Sequence, residues 1–293
     1  MSTASDRPVV GFVGLGHMGG AMAARLLAAD YAVYGTSRTR ARAAEQIATG
    51  LRWIDGADQL AKAADVLITS IPDDAALQLV ADSITPALSG GQVWIDMSTV
   101  SPQTSREVAD RVLAAGAEFL DAPVSGSVPQ VRAGTLTIMV GGDETAYHQV
   151  EAVLGELGRP TYIGPNGQGL ALKLGINISL AVQVLAMAEG LLLAERSGVD
   201  RGLALRVMNA SPIGSPMLQA REALLLDLPD EAWFDIRLMQ KDLVLALEAG
   251  RTLAVPLPTA TSADEILTLA RALGYEHRDI AGVFEVLQRL TRR

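Results

Sequence analysis

The stretch Val9-Val10-Gly11-Phe12-Val13-Gly14-Leu15-Gly16-His17-Met18-Gly19 decides the fold. A β-branched and aromatic run turns directly into a Gly-x-Gly-x-x-Gly spacing, and a helical pattern over 18–29 follows. In such a turn the first glycine permits the tight bend. The second lets the backbone approach a pyrophosphate, and the third lets helix and strand pack closely. The helix that opens there presents free N–H groups and the positive end of its dipole to an anion. Gly14, Leu15, Gly16, His17, Met18 and Gly19 are therefore the candidate phosphate loop of a dinucleotide site. The spacing alone is weak, but a preceding strand and a following helix supply the context it requires.

The end of the second expected strand, 32–36, separates the two nicotinamide cofactors. An NAD site commonly has Asp or Glu there, about 20 residues past the fingerprint, to bind the ribose 2′-hydroxyl. This chain reads Thr36-Ser37-Arg38-Thr39-Arg40-Ala41-Arg42, with no acid and three arginines within five residues. Hydroxyl donors and a guanidinium fork suit a 2′-phosphate, so Ser37, Arg38 and Thr39 favour NADP(H) over NAD. Arg40 and Arg42 also fit a solvated, basic start to a helix.

Further strands are expected at 65–70, 92–96, 118–120, 135–140 and 161–163, with helical patterns such as 39–48 and 102–115 between them. That alternation implies a mainly parallel sheet covered on both faces. Twenty of the 28 glycines fall within residues 1–169. Beyond them the chain reads as helices only, at about 170–196, 201–210, 215–226, 235–252, 258–273 and 279–289. The expected architecture is α/β: a Rossmann-type NADP-binding domain over 1–165 and an all-helical substrate and oligomerisation domain over 166–293.

Composition narrows the partners. The 293 residues carry a formal net charge of −9, which argues against duplex nucleic acid or an anionic membrane as the main partner. The first ten residues lack the basic and apolar regions of a signal peptide, so a cytoplasmic location is expected. The most apolar stretch, 174–193, is interrupted by Asn177, Ser179, Gln183 and Glu189 and reads as a helix buried on most sides by protein.

Hydride transfer at a carbinol requires a proton donor or acceptor beside the oxygen. With no cysteine, thiolate chemistry and cysteine-ligated zinc are excluded, and no metal site is expected. No tyrosine stands four residues before a lysine. His17 belongs to the phosphate loop, while His148 and His277 read as surface residues on helices. Lysine remains, and only Lys62, Lys173 and Lys241 are present. Lys173 interrupts the start of the apolar helix, with Asn177 four residues on and so on the same face. An ammonium in apolar surroundings loses proton affinity, which suits exchange near neutrality. On the residues alone, a lysine reaching out to solvent fits as well. Ser125 and Gly126, in Asp121-Ala122-Pro123-Val124-Ser125-Gly126-Ser127, can donate to a carboxylate, although an ordinary strand–turn fits that composition too.

Taken together these residues resemble the β-hydroxyacid dehydrogenase family, which includes 3-hydroxyisobutyrate dehydrogenases, tartronate semialdehyde reductases and glyoxylate/succinic semialdehyde reductases. The matching motifs run in order along nearly the whole chain. They are 11–19, Asp96-Met97-Ser98-Thr99, 121–126, Gly134-Thr135-Leu136, Met139-Val140-Gly141-Gly142, Gly169 through Lys173 to Asn177, and Met239-Gln240-Lys241-Asp242-Leu243. The resemblance implies that Lys173 is the general acid/base, that Asn177 holds substrate beside it, and that Ser125 and Gly126 grip the substrate carboxylate. It further implies that Thr99 and Lys241 contact the nicotinamide side of the cofactor, and that the chain forms a homodimer or homotetramer. Ser127, a candidate substrate-binding residue with Ser125 and Gly126, stands where many hydroxyisobutyrate-type members have glycine, so the substrate loop looks closer to the semialdehyde reductases. Ile176 replaces the first of the family's asparagine pair.

The function expected is NADP(H)-dependent interconversion of a short β-hydroxyacid and its semialdehyde. An imine reductase or reductive aminase shares the architecture but usually lacks the lysine. A non-catalytic NADPH-binding protein would have no use for the Lys173–Asn177 pair.

Overall fold

The computed structural model describes residues 7–291. They fall into two compact units, one running through Lys173 and the other from Leu174.

The first unit alternates strand and helix. Its first half comprises β1 (Val10–Val13), α1 (His17–Ala28), β2 (Val33–Thr36), α2 (Ala44–Ala48), β3 (Arg52–Trp53), α3 (Ala57–Ala63), β4 (Val66–Thr69) and α4 (Asp74–Ile84). There follow β5 (Val93–Asp96), α5 (Pro102–Ala114), β6 (Glu118–Asp121), β7 (Val124–Ser125), α6 (Val128–Ala133), β8 (Leu136–Gly141), α7 (Glu144–Leu157) and β9 (Gly158–Gly164). The strands form one sheet in the order β3-β2-β1-β4-β5-β6-β8-β7, with β9 paired to β8. Pairing is parallel from β3 through β6, while β8 runs antiparallel to β6 and β7.

Strand alternation explains why both faces are covered. Phe12, Ile68 and Ile95 join a core roofed by Met22 and Leu26 of α1 and by Val150 and Leu154 of α7. Their neighbours Val13, Leu67 and Trp94 face the other way, against Leu60, Leu77, Ala81, Val108 and Val112 of α3, α4 and α5. A strand apolar at every position needs protein on both sides, as in doubly wound sheets. The strand order reverses between β1 and β4, which makes the carboxyl ends of those two strands the expected ligand crevice.

The long α8 (Gln168–Arg196) begins in the first unit and continues into the second. The second unit then adds α9 (Arg201–Ala210), α10 (Pro216–Ala220), α11 (Glu222–Leu226), α12 (Ile236–Thr252), α13 (Pro258–Ala272) and α14 (Val283–Leu290). Their core gathers Val184, Ala188 and Leu191 of α8 with Met239, Leu243, Leu267 and Phe284.

Several expectations need correction. The helix expected at 215–226 breaks at Arg221, where φ −96° and ψ 7° interrupt the ladder between α10 and α11. His277 lies in a turn rather than on a helix, because α13 has already ended and the next helical turn begins at Ile280. The helix expected at 39–48 opens as a 3₁₀ turn over Arg40–Ala43. Helix α8 is long and apolar enough by composition to cross a membrane, and only 33% of its most apolar window is buried. Most positions of 174–193 are nonetheless buried or half-buried as expected, and the exposed ones, Gly175, Ser179, Ala186, Glu189 and Leu193, lie along one side of the helix.

Candidate functional site

The phosphate loop is set by the crevice between β1 and β4. Gly14 adopts φ +94°, and a Cβ there would lie 2.3 Å from the Ser70 carbonyl oxygen just beyond β4. The Gly14 N–H donates to Thr36 O at 3.0 Å, tying the end of β1 to the end of β2. A Cβ at Gly19 would lie 2.0 Å from the Gly14 carbonyl oxygen, so only glycine lets the helix sit this close to the turn. Gly16 differs, since nothing lies within 4 Å of where its Cβ would be. It is also the N-cap of α1 and offers no side chain to the helix's first N–H groups.

This combination fits a dinucleotide. An uncapped helix N-terminus faces open space at Gly16, with no carboxylate in the first turn to repel a phosphate. Leu15 is buried under the loop, while Gly16 and His17 are exposed and Met18 partly so. Beyond β2, Ser37 is partly exposed and Arg38 and Thr39 are exposed. The Arg40 guanidinium instead lies over the Trp53 ring, 5.5 Å from its centroid, and so has a structural use of its own.

At the end of β5, Asp96 is wholly buried and anchors the loop that carries Thr99. Thr69 Oγ1 and Ser98 Oγ each donate to Asp96 Oδ1 at 2.6 Å, and the Ile71 N–H donates to Ser98 Oγ at 3.0 Å. Trp94 Nε1 donates to Thr69 Oγ1 at 3.0 Å, which extends the network into the core. Asp96 Oδ2 is buried without a hydrogen-bond partner among the described residues. Burial raises the Asp96 carboxyl to about 6, although the Ser98 and Thr69 bonds favour the charged form. Thr99 is thus held between buried Ser98 and Val100 at the carboxyl edge of the sheet.

The neighbouring strand end carries the loop with Ser125, Gly126 and Ser127. Ser125 closes β7 and pairs with Thr137 of β8. Ser127 opens α6, and its N–H and hydroxyl both donate to Gln130 Oε1, at 2.9 and 3.2 Å. Its hydroxyl therefore already has local work. Ser125 is partly exposed and Gly126 exposed, consistent with groups able to meet a ligand.

Lys173 sits on α8, partly buried, one turn before Asn177. In the second unit Asn177 is 2% exposed and its amide donates to Asp242 Oδ2. Asp242 Oδ1 pairs with the Lys241 ammonium at 2.9 Å. Asp242 thus brings Asn177 and Lys241 to one carboxylate, a role the motif around Lys241 did not disclose. Its position directly after Lys241 was the available signal. His148 and His277 are solvent-exposed and pair with Glu151 and Glu276, apart from that constellation. No group of three or more metal-ligating side chains occurs among the described residues.

Comparison with known proteins matches residues 9–164 to the family described as the NAD-binding domain of 6-phosphogluconate dehydrogenase. Residues 167–287 match the family described as "NAD-binding of NADP-dependent 3-hydroxyisobutyrate dehydrogenase". The chain is 33% identical to 2-(hydroxymethyl)glutarate dehydrogenase of Eubacterium barkeri, over 96% of this chain and 95% of that one. It is 32% identical to 2-hydroxy-3-oxopropionate reductase of Escherichia coli, over 95% and 97% of the respective chains. Among solved structures, Mycobacterium tuberculosis 3-hydroxyisobutyrate dehydrogenase with L-serine superimposes with a TM-score of 0.87 at 30% identity. That match covers 96% of this chain and 99% of the other.

Proposed function

Because the chain belongs to the 3-hydroxyisobutyrate dehydrogenase-like family of NAD(P)-binding hydroxyacid dehydrogenases, we propose that it interconverts a short β-hydroxyacid and its semialdehyde with NADP(H), using Lys173 as general acid/base. The observation that carries this reading is the Lys173–Asn177 pair on one face of α8, with Asn177 buried and bonded to Asp242. The bound cofactor supplies or accepts the hydride at its nicotinamide ring. Everything else falls to side chains of this chain.

Gly14, Leu15, Gly16, His17, Met18 and Gly19 hold the pyrophosphate through the α1 N-terminus. Ser37, Arg38 and Thr39 hold the 2′-phosphate, for which charge-assisted bonds from a guanidinium are well suited. Thr99 and Lys241 contact the nicotinamide side. Ser125 and Gly126 hold the substrate carboxylate, and Ser127 shapes the same loop by fixing the start of α6. In reduction the Lys173 ammonium gives its proton to the carbonyl oxygen; in oxidation the neutral amine takes the hydroxyl proton. Asn177, oriented by Asp242, holds the substrate oxygen beside that amine.

On this reading residues 1–165 form the NADP-binding domain and 166–293 the helical substrate and oligomerisation domain. The exposed side of α8, with Leu172, Ala186 and Leu193, supports assembly as a homodimer or homotetramer. The acidic chain is placed in the cytoplasm, with no nucleic-acid or membrane partner.

A panel of 3-hydroxyisobutyrate, glycerate, glyoxylate, succinic semialdehyde and cyclic imines, each run with NADPH and with NADH, tests the proposal. Turnover confined to hydroxyacids or their aldehydes, with NADPH preferred, is expected. Selective turnover of cyclic imines would replace the substrate class, and a preference for NADH would overturn the role given to Arg38.

A further inference from the structure

The carboxylate of Asp121, at the end of β6, accepts hydrogen bonds on both of its oxygens and touches none of the groups assigned above. It is fully buried. Its Oδ1 accepts from Asn166 Nδ2 at 2.9 Å and from the Gly167 N–H at 2.7 Å, while Oδ2 accepts from the Leu170 N–H at 2.9 Å. All three donors belong to the entry of α8, 45 to 49 residues further along the chain. Gly169 lies against the same carboxylate: a Cβ there would come 2.8 Å from Asp121 Oδ2 and 2.4 Å from Met139 O. No side chain larger than hydrogen leaves the helix at its present distance from the strand.

The consequence lies at both ends of this contact. Lys173 follows Leu170 by three residues, so it rises from the same helix face one turn above the anchored N–H. Ser125 follows Asp121 by four residues on the strand side. One buried carboxylate therefore fixes the helix that bears the proposed proton donor against the strand that leads into the proposed substrate loop.

We infer that Asp121 is a positioning residue for catalysis: by holding the first turn of α8 it sets where the Lys173 amine stands relative to the loop of Ser125 and Gly126. This rests on the assignment of Lys173 as the general acid/base. Unlike an ordinary core contact, it makes the cost of losing Asp121 fall on the chemical step. The capping carboxylate also balances the positive end of the α8 dipole, which stiffens the turn immediately before the lysine.

The test is Asp121→Asn, compared in the full-length protein with Lys173→Ala and with the double variant. Asparagine keeps an oxygen for Asn166 and Gly167 but turns an amide N–H₂ toward the Leu170 N–H, so donor faces donor. Misplacing a catalytic group by about 1 Å costs up to roughly a hundredfold. The expected result is a loss in kcat of about thirtyfold, with KM and NADPH affinity within about twofold of wild type. Because the loss acts through Lys173, Asp121→Asn in the Lys173→Ala background should cost no more than about twofold further.

A folded Asp121→Asn with wild-type kcat overturns the inference, as does a loss that multiplies in full with that of Lys173→Ala. Should Asp121→Asn fail to fold, Asn166→Ala removes one of the three donors and carries the same test. Its kcat should fall about fivefold, and the loss should vanish in the Lys173→Ala background; an unchanged kcat overturns the inference. Lys173→Ala separates the two claims. Full turnover in that variant overturns the lysine assignment itself, whereas its collapse beside an unaffected Asp121→Asn overturns only the role of Asp121.

Discussion

Two helices of the α/β unit begin at the carboxyl edge of the sheet and answer the same electrostatic problem in opposite ways. The N-terminus of α1 has no side-chain cap, no acid in its first turn and open space at Gly16. The entry to α8 is filled by the Asp121 carboxylate, which accepts three hydrogen bonds. Both termini expose N–H groups and the positive end of a dipole, and both therefore call for an anion. At α1 the anion is left for a ligand to supply; at α8 the protein supplies it. An open terminus makes a binding site, and a closed one makes a rigid base for whatever the helix carries next.

Converting the open terminus into a closed one gives the largest effect. Gly16 has φ −80° and ψ −162°, a conformation any residue adopts, and its missing Cβ would meet nothing within 4 Å. Gly16→Asp should thus fold and gain a little stability, a few tenths of a kcal/mol as an N-cap. The same carboxylate stands where a phosphate is expected, and like charges in contact cost several kcal/mol. NADPH affinity should fall by a hundredfold or more, measured by cofactor fluorescence. Unchanged affinity in a stabilised variant would show that the α1 terminus is not the phosphate site.

Arg38→Ala probes the next contact proposed along the same ligand. A hydrogen bond to a charged group contributes about 1.5–3 kcal/mol, which converts to roughly ten- to a hundredfold in affinity. The NADPH-to-NADH preference in kcat/KM should fall by that factor through NADPH alone, with NADH kinetics unmoved. Equal losses for both cofactors would assign Arg38 to the loop's structure instead.

A third carboxylate bears on stability rather than on affinity. Asp121 has donors on both oxygens, whereas Asp96 has them only on Oδ1, and Oδ2 is buried without one among the described residues. Burial raises Asp121 as well, and the Gly167, Leu170 and Asn166 bonds oppose that rise. For Asp96 the carboxyl is raised from 3.8 to about 6, so the folded state keeps a proton that the unfolded chain has released. More protons on the folded state mean that stability falls as pH rises across this window. Relative to Asp96→Asn, the wild type should lose on the order of 3 kcal/mol between about pH 4 and pH 7. A flat difference in denaturant midpoints across that range would remove the proposed shift.

Strands buried on both faces were legible from sequence to within a residue or two at most ends. Val10–Val13 and Val93–Asp96 are buried at every position, and their apolar runs have no competing pattern. Arg52–Trp53 and Val124–Ser125 escaped notice because two residues show no period. The phosphate loop was legible for the same local reason, since spacing, strand and helix lie within one short segment. Asp96, Asp121 and Asp242 were not, although all three belong to quoted motifs. Their work depends on donors such as Thr69, Leu170 and Asn177, brought from 27 to 65 residues away by the fold. Local pattern carries no record of such partners. Which side of α8 stays exposed was not legible either: an apolar helix reads as buried whether its cover comes from this chain or from elsewhere.

The most direct measurement is single-turnover reduction of a short semialdehyde acid by NADPH in Lys173→Ala, with cofactor binding followed in the same sample. A positioned general acid contributes about 10²–10⁴ in rate. The variant should bind NADPH like the wild type and reduce the substrate about a thousandfold more slowly. Reduction at the wild-type rate by a folded, NADPH-loaded Lys173→Ala would contradict the assignment of Lys173 and, with it, the proposed reaction.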